Sequence, residues 1–379
     1  MNVSMTTEQK GLPLPDLNAG VPTSKGLSWF SSPFFIRLRH WEYWPFWVVY
    51  FPIVFYWLWL SLKARSLFFF TASNPAIETG GMLGESKIDI LNKIDDAYKP
   101  LTGFIQQSAS LQDIQDTMLL AGITFPIIIK PNVGERGRGV EKITSPHDLQ
   151  AYWQRNQADC LVQEYVDSPL ELGVFYYRYP GQATGVISSI VRKEFLSVTG
   201  DGRSTLLDLI LQNERARLQL PRLQAQYRAD LHQLIPAGQK RELVPIGNHS
   251  RGTKFLNGNH LINEQLTAVF ARISQSIDGF YYGRYDLRCR SLADLYAGRG
   301  IRILELNGAG AEPAHIYQPG FSLLEAYRVL FHHWRVLYEI SRENHRLGTP
   351  YPGLKEAIRL YRKAQTHKKS EPAYASTLA

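Results

Sequence analysis

Two short stretches constrain this chain more than anything else in it. The first is Lys130-Pro131-Asn132-Val133-Gly134-Glu135-Arg136-Gly137-Arg138-Gly139-Val140, reached through the β-rich run Phe125 to Ile129. Glycines let backbone N–H groups approach phosphate oxygens with no Cβ in the way, so this loop reads as a phosphate cradle built from Lys130, Gly134, Arg136, Gly137, Gly139 and Val140. The second is Ile303-Leu304-Glu305-Leu306-Asn307. Strand alternation points Glu305 and Asn307 to one face and Leu304 and Leu306 to the other, which gives a hard cation two oxygen donors on one surface. Each stretch alone also has a bland reading, a glycine-rich turn or a half-buried strand.

Their order, and what lies between them, adds information. Downstream of the loop come Cys160-Leu161-Val162-Gln163-Glu164-Tyr165-Val166, then Glu171, then Arg284-Tyr285-Asp286, then Glu305 and Asn307. This order resembles the ATP-grasp superfamily, in particular carboxylate–amine ligases of the D-alanine--D-alanine ligase and cyanophycin synthetase type, and the resemblance covers about Ser86 to Tyr317. It implies an α+β fold in which two lobes clamp ATP. By the same resemblance Glu164, Tyr165 and Val166 face adenine and Glu171 the ribose, although the connector here is slightly longer than in D-alanine ligases. Lys87, at the start of a helix, joins Lys130 on the phosphates, and Lys193 faces the γ-phosphate or an anionic substrate. Asp286, Glu305 and Asn307 hold Mg²⁺, with Mn²⁺ as an alternative. Arg284 stabilises the transferring phosphoryl group, and Arg251 holds a carboxylate through its planar fork.

From Trp44 to Leu62 the sequence is WPFWVVYFPIVFYWLWLSL, without a charge, between Arg37 and Arg39 on one side and Lys63 and Arg65 on the other. The length meets the threshold for a membrane segment, and Trp and Tyr favour the headgroup boundary. Pro52 removes a backbone hydrogen bond at its middle, and cations on both flanks give no orientation. Three fates stay open: a bent interfacial or re-entrant segment, a span, and soluble packing, which includes an oligomer interface. Proline and the matched cations favour the first, on the cytosolic face of a membrane.

Lys and Arg number 42 against 34 Asp and Glu, which suits anionic ligands or an anionic membrane surface. No zinc spacing or RNA-recognition signature accompanies that charge, so nucleic acid is not expected as a partner. Cys160 and Cys289 lie in apolar, strand-like sequence and read as small buried hydrophobes.

The chain divides on this reading into a tail (1–40), the apolar segment (41–66), a reduced stand-in for the usual amino-terminal lobe (67–111), the ATP-grasp domain (112–350), and a basic helix with a frayed end (351–379). Within the domain, Leu172–Tyr179 and Gly185–Val191 form a hairpin around Pro180-Gly181, Asn213 to Lys240 is a helical insertion or lid, and Asn248 to Thr253 is a polar turn. The function expected is ATP-dependent joining of a carboxylate to an amine. A kinase acting on a small or lipid-borne substrate is the second reading, and a non-catalytic nucleotide-binding membrane protein the third.

Overall fold

β-Branched and aromatic runs build two antiparallel sheets that face each other across a cleft. The structure, a computed structural model, describes residues 32–134, 137–156, 158–245 and 247–369. Arg136, expected in the phosphate cradle, lies outside the described residues. The smaller sheet contains β1 (Thr102–Ile105), β2 (Ile127–Pro131), β3 (Glu141–Ile143) and β4 (Cys160–Glu164), in the order β1-β4-β2-β3. Its edge strand β1 lies upstream of residue 112, where the sequence reading begins the clamp. Two helices cover it: Leu111–Leu120, started by a capping box from Ser110 to Asp113, and Pro146–Arg155, capped by Ser145. Ile114, Ile127, Ile129, Leu149 and Val162 fill the space between.

The larger sheet takes β5 (Leu170–Tyr177) and β6 (Val186–Glu194), the expected hairpin. The short ribbon of β7 (Ser197–Thr199) with β8 (Lys240–Glu242) interrupts it, and β9 (Lys254–Asn257), β10 (Tyr282–Cys289) and β11 (Arg302–Asn307) complete the order β11-β10-β5-β6-β9. Helix Glu264–Gln275, capped by Asn263, packs Leu266, Val269, Phe270 and Ile273 into its core. The stretch expected as a helical insertion or lid folds as two short helices, Glu214–Leu218 and Leu220–Gln226. With β7, β8 and helix Leu206–Gln212 these enclose a separate apolar cluster around Val198, Ile210, Leu223 and Val244. A segment that buries its own core behaves as a small packed unit.

The apolar run becomes one helix, Phe46–Ala64, which continues through Pro52. It is long and apolar enough to cross a membrane. One face is not exposed to any solvent or lipid: Ile53 packs with Ile316, Ala326 and Leu330, and Leu60 with Phe69 and Tyr338, against helix Leu323–Arg346. Burying each such side chain contributes roughly 1.5–3 kcal/mol. The run therefore has a protein core to enter along one face, which soluble packing requires. The opposite face carries Trp47, Phe51, Phe55, Trp59 and Leu62, all exposed, Trp47 at 73% and Leu62 at 78%. Their spacing of three to four residues places them on one stripe.

Candidate active site

The glycine loop is held against the amino-terminal region. Ser86 caps the short helix Lys87–Leu91, and the Asn132 side chain accepts from the Ile88 N–H at 3.0 Å and donates to Ser86 Oγ at 3.1 Å. Lys87 Nζ donates to the Gly134 carbonyl at 2.7 Å, so the two expected phosphate-side elements meet. Gly139, with φ near +65°, turns back onto β2, where a Cβ would sit 2.7 Å from Pro131 Cγ. Lys130 projects from β2 into the cleft and donates to Gln163 Oε1 and to the Leu304 carbonyl, both at 3.0 Å, thereby bridging the two sheets. Burial pulls its ammonium down to about 8, opposed by Glu305 and reinforced by Lys87.

Across the cleft, β10 and β11 pair Asp286 with Glu305 and Arg284 with Asn307. The register slips between Asp286 and Leu287, so Leu304 is an extra residue on β11. This corrects the simple alternation: Leu306 is buried in the core as expected, though it also borders the cleft, while half-buried Leu304 lines the cleft with Glu305 and Asn307. Asp286 is the hub. Arg284 donates to its Oδ2 at 3.0 Å, Asn307 Nδ2 donates to the same oxygen at 3.0 Å, and Lys193 Nζ lies 3.1 Å from Oδ1. Burial would raise the Asp286 carboxyl, yet Arg284 and Lys193 outweigh it and hold the group down at about 2. Gly173 makes room for this, since a Cβ there would lie 3.1 Å from Asp286 Oδ1 and 2.8 Å from Val191 Cγ1.

Glu305 differs from its neighbours, because among the described residues its carboxylate makes no hydrogen bond or ion pair. Asp286, Glu305 and the Asn307 amide thus offer two carboxylates and one carbonyl oxygen on a shared surface, a donor set that fits a hard divalent cation. Three or more His, Cys, Asp or Glu side chains in metal-binding array do not occur among the described residues, so this set relies on Asn307.

Glu164, Tyr165 and Val166 line the cleft at the end of β4, where the Lys142 ammonium sits 3.6 Å from the centre of the Tyr165 ring. Glu171 also reaches the cleft, but both its oxygens are engaged, Oε1 by Lys193 at 3.2 Å and Oε2 by Arg288 Nε at 2.8 Å. It therefore organises two cations at the cleft wall. Arg288 also donates to the Val166 carbonyl at 2.7 Å, tying the connector after β4 to β10. Arg251 is absent from the cleft wall, where Asn248, His249 and Ser250 of the same turn stand. Burial, with Arg222 nearby, lowers Arg251 to about 10, and Glu141 of the smaller sheet opposes that shift.

The cleft holds about 520 Å³, and its wall includes Glu42, Phe46, Val49 and Tyr50 from the apolar segment. None of those was expected from the sequence, nor was Tyr317; with Glu312, from the small-residue loop after Asn307, and His249, from the polar turn, it completes that end. Gln163 and Arg288 were within reach of the sequence, since one sits in the quoted β4 strand and the other shares the strand face of Arg284 and Asp286. The loop after Asn307 is fixed from the segment before the smaller sheet: the Ala309 and Gly310 N–H groups donate to the carbonyls of Gly80 and Gly81 at 2.9 and 2.8 Å. Buried Asn74, which reads in sequence as a turn residue, holds Gly80 and Tyr282 through their carbonyls.

Residues 88–173 match the tubulin-tyrosine ligase family model. That family is related to ATP-grasp, and the match bears out the resemblance read from the glycine loop and connector. It takes in well under half of the chain and ends before Arg284, Asp286, Glu305 and Asn307. No curated protein matches the sequence. Among solved structures, a bifunctional glutathione synthetase from Pasteurella multocida is 15% identical over 65% of this chain, with a TM-score of 0.34. The chain spans only 35% of that protein. D-Alanine--D-alanine ligase from Bacillus anthracis is 12% identical over 69% of each chain, with a TM-score of 0.41. The VanG D-Ala:D-Ser ligase from Enterococcus faecalis is 13% identical over 67% of this chain and 61% of that one, with a TM-score of 0.37. At such values the functional reading has to stand on the cleft's own residues.

Proposed function

We propose that the cleft is the active site of an ATP- and Mg²⁺-dependent ligase of ATP-grasp type, which joins a carboxylate to an amine through an acyl phosphate. The observation that carries this reading is the Lys130 ammonium, held by Gln163 on one sheet and by the Leu304 carbonyl on the other, directly beside the oxygen donors of β11. Lys87, Lys130 and the glycine-loop backbone would neutralise the ATP phosphates, while Glu164, Tyr165 and Val166 would flank adenine. Asp286, Glu305 and Asn307 would hold Mg²⁺, whose charge would lower the repulsion between β- and γ-phosphate oxygens. Arg284, fixed by Asp286 and by the Glu312 carbonyl at 3.1 Å, would use its remaining donors to stabilise the charge that a transferring phosphoryl group gathers. Lys193 and Arg288 keep that wall positive, with Glu171 as their common anchor. Arg251, which does not line the cleft, has no part in this scheme.

Purified full-length protein with MgATP, an amino-acid pool and hydroxylamine should release ADP and yield a hydroxamate of the acid substrate. A stable phosphate ester as end product would favour the kinase reading and overturn this one.

The exposed stripe of the Phe46–Ala64 helix supports a second element of the proposal: the helix lies in the plane of a membrane–water boundary, on the cytosolic side where ATP is available. Trp47 and Trp59 stand along the stripe, and Arg37, Arg39, Lys63 and Arg65 flank it, as contact with an anionic surface favours.

A further inference from the structure

We infer that Glu312, with Tyr50 and Tyr317, is the subsite for the ammonium group of the amine substrate, and that this substrate carries an apolar body. The inference rests on the ligase reading above. Glu312 follows the metal-side strand and lines the cleft, with its main-chain carbonyl on Arg284. Its carboxylate Oε1 accepts hydrogen bonds from the hydroxyls of Tyr50 and Tyr317, the latter at 2.9 Å. Among the described residues Oε2 accepts none, and no cation pairs with the side chain. Arg284 feels the Glu312 charge but bonds only its main-chain carbonyl; a carboxylate oriented by two hydroxyls and with no direct ion-pair partner among the described residues is suited to an arriving cation.

The surroundings define the rest of the ligand. Phe46, Val49, Phe255 and Ala314 form the adjacent wall. Burial, with Arg215 nearby, keeps the neighbouring His249 imidazole uncharged, down at about 3, so it does not compete with the substrate for Glu312. The other acid at this end, Glu42, is already paired with Arg215. A primary amine on a hydrocarbon body satisfies both halves of this end, whereas a second carboxylate does not. Attack on an acyl phosphate needs the free amine, and Glu312 can accept one ammonium proton. The nitrogen lone pair then forms the C–N bond as the C–O bond to phosphate breaks. Of the remaining two nitrogen protons one stays on the amide and the other leaves with the phosphate.

The test uses the full chain with n-hexylamine, 1-hexanol and hexanoate as probes, and binding is followed by tryptophan fluorescence. Hexylamine should bind in preference to the other two. Glu312→Gln, whose amide oxygen can still accept from both tyrosines, should weaken it roughly ten- to a hundredfold, with a smaller loss in Tyr50→Phe. ATP-induced thermal stabilisation should persist in both variants, which shows that they fold. Equal hexylamine binding in wild type and Glu312→Gln, or a preference for hexanoate, overturns the subsite. Hydroxamate formation by wild type in that case leaves the ligase reading standing. Glu312-dependent amine binding without any hydroxamate or ADP supports the subsite and removes the ligase reading instead.

Discussion

ATP binding should draw a proton onto Lys130. A lysine free in water keeps its proton up to 10.5, but burial brings Lys130 down to about 8. That displacement corresponds to roughly 3 kcal/mol against the charged form inside the fold. Between those values the unfolded chain binds a proton that the native chain does not, so native stability rises with pH across the window and is level below it. Phosphate oxygens next to Nζ reverse the balance, because a neighbouring anion favours the ammonium. At about pH 8.5, where Lys130 is mostly neutral, binding should therefore take up roughly three quarters of a proton. Titration calorimetry in buffers of different ionisation enthalpy reads this directly as the slope of heat against buffer enthalpy. Lys130→Met should abolish the slope and weaken ATP roughly ten- to a hundredfold. No proton uptake in the wild type, or the same uptake in the variant, would show that Lys130 does not meet the phosphates.

Glu305→Gln and Asn307→Ala should each abolish ATP turnover while circular dichroism and melting stay close to wild type; turnover retained in both would sink the metal assignment. Arg215→Met leaves Glu42 buried without its partner and should cost about 3–5 kcal/mol in denaturant unfolding, most of it restored by adding Glu42→Leu. An undiminished midpoint in the single variant would mean that this pair does not anchor the amino-terminal segment. Full-length protein should sediment with vesicles that contain anionic lipid, and Trp47→Glu combined with Phe55→Glu should release it. Binding that survives the double substitution, or that never occurs, rules out the membrane-plane reading.

Local chemistry made much of the site legible. Ser86, Ser110, Ser145 and Asn263 each cap the helix that follows them, because a side-chain oxygen at that position satisfies an N–H with no partner inside the helix. Arg284 and Asp286 fall on one strand face by period alone, and Asn307 joins them. The bulge at Leu304 was hidden, since a one-residue slip depends on how β10 and β11 pair and not on either strand's composition. Glu171 was legible as a cleft acid but not as the anchor of Lys193 and Arg288, which come from two other strands. The Arg251 turn reaches the cleft, while its own side chain does not line it, a difference of side-chain direction that the turn's sequence does not encode.

The apolar helix was the hardest element to interpret, because two demands are written over one another in it. Val49, Ile53 and Leu60 are buried against the domain, whereas Trp47, Phe51, Phe55 and Trp59 are exposed on the other side. A helix apolar all round has no preferred inner face in its sequence, so hydrophobicity alone cannot say which residues meet protein. The division is set from outside, by Ala326 and Leu330 on one helix and by the Arg215–Glu42 pair just ahead of the run. With that pair in place, Phe46, Val49 and Tyr50 reach the cleft and supply part of its wall. On the proposed reading the same helix would then carry a membrane-facing stripe and part of the amine subsite. An amine with a hydrocarbon body that partitions to a bilayer surface would meet the stripe before it met Glu312.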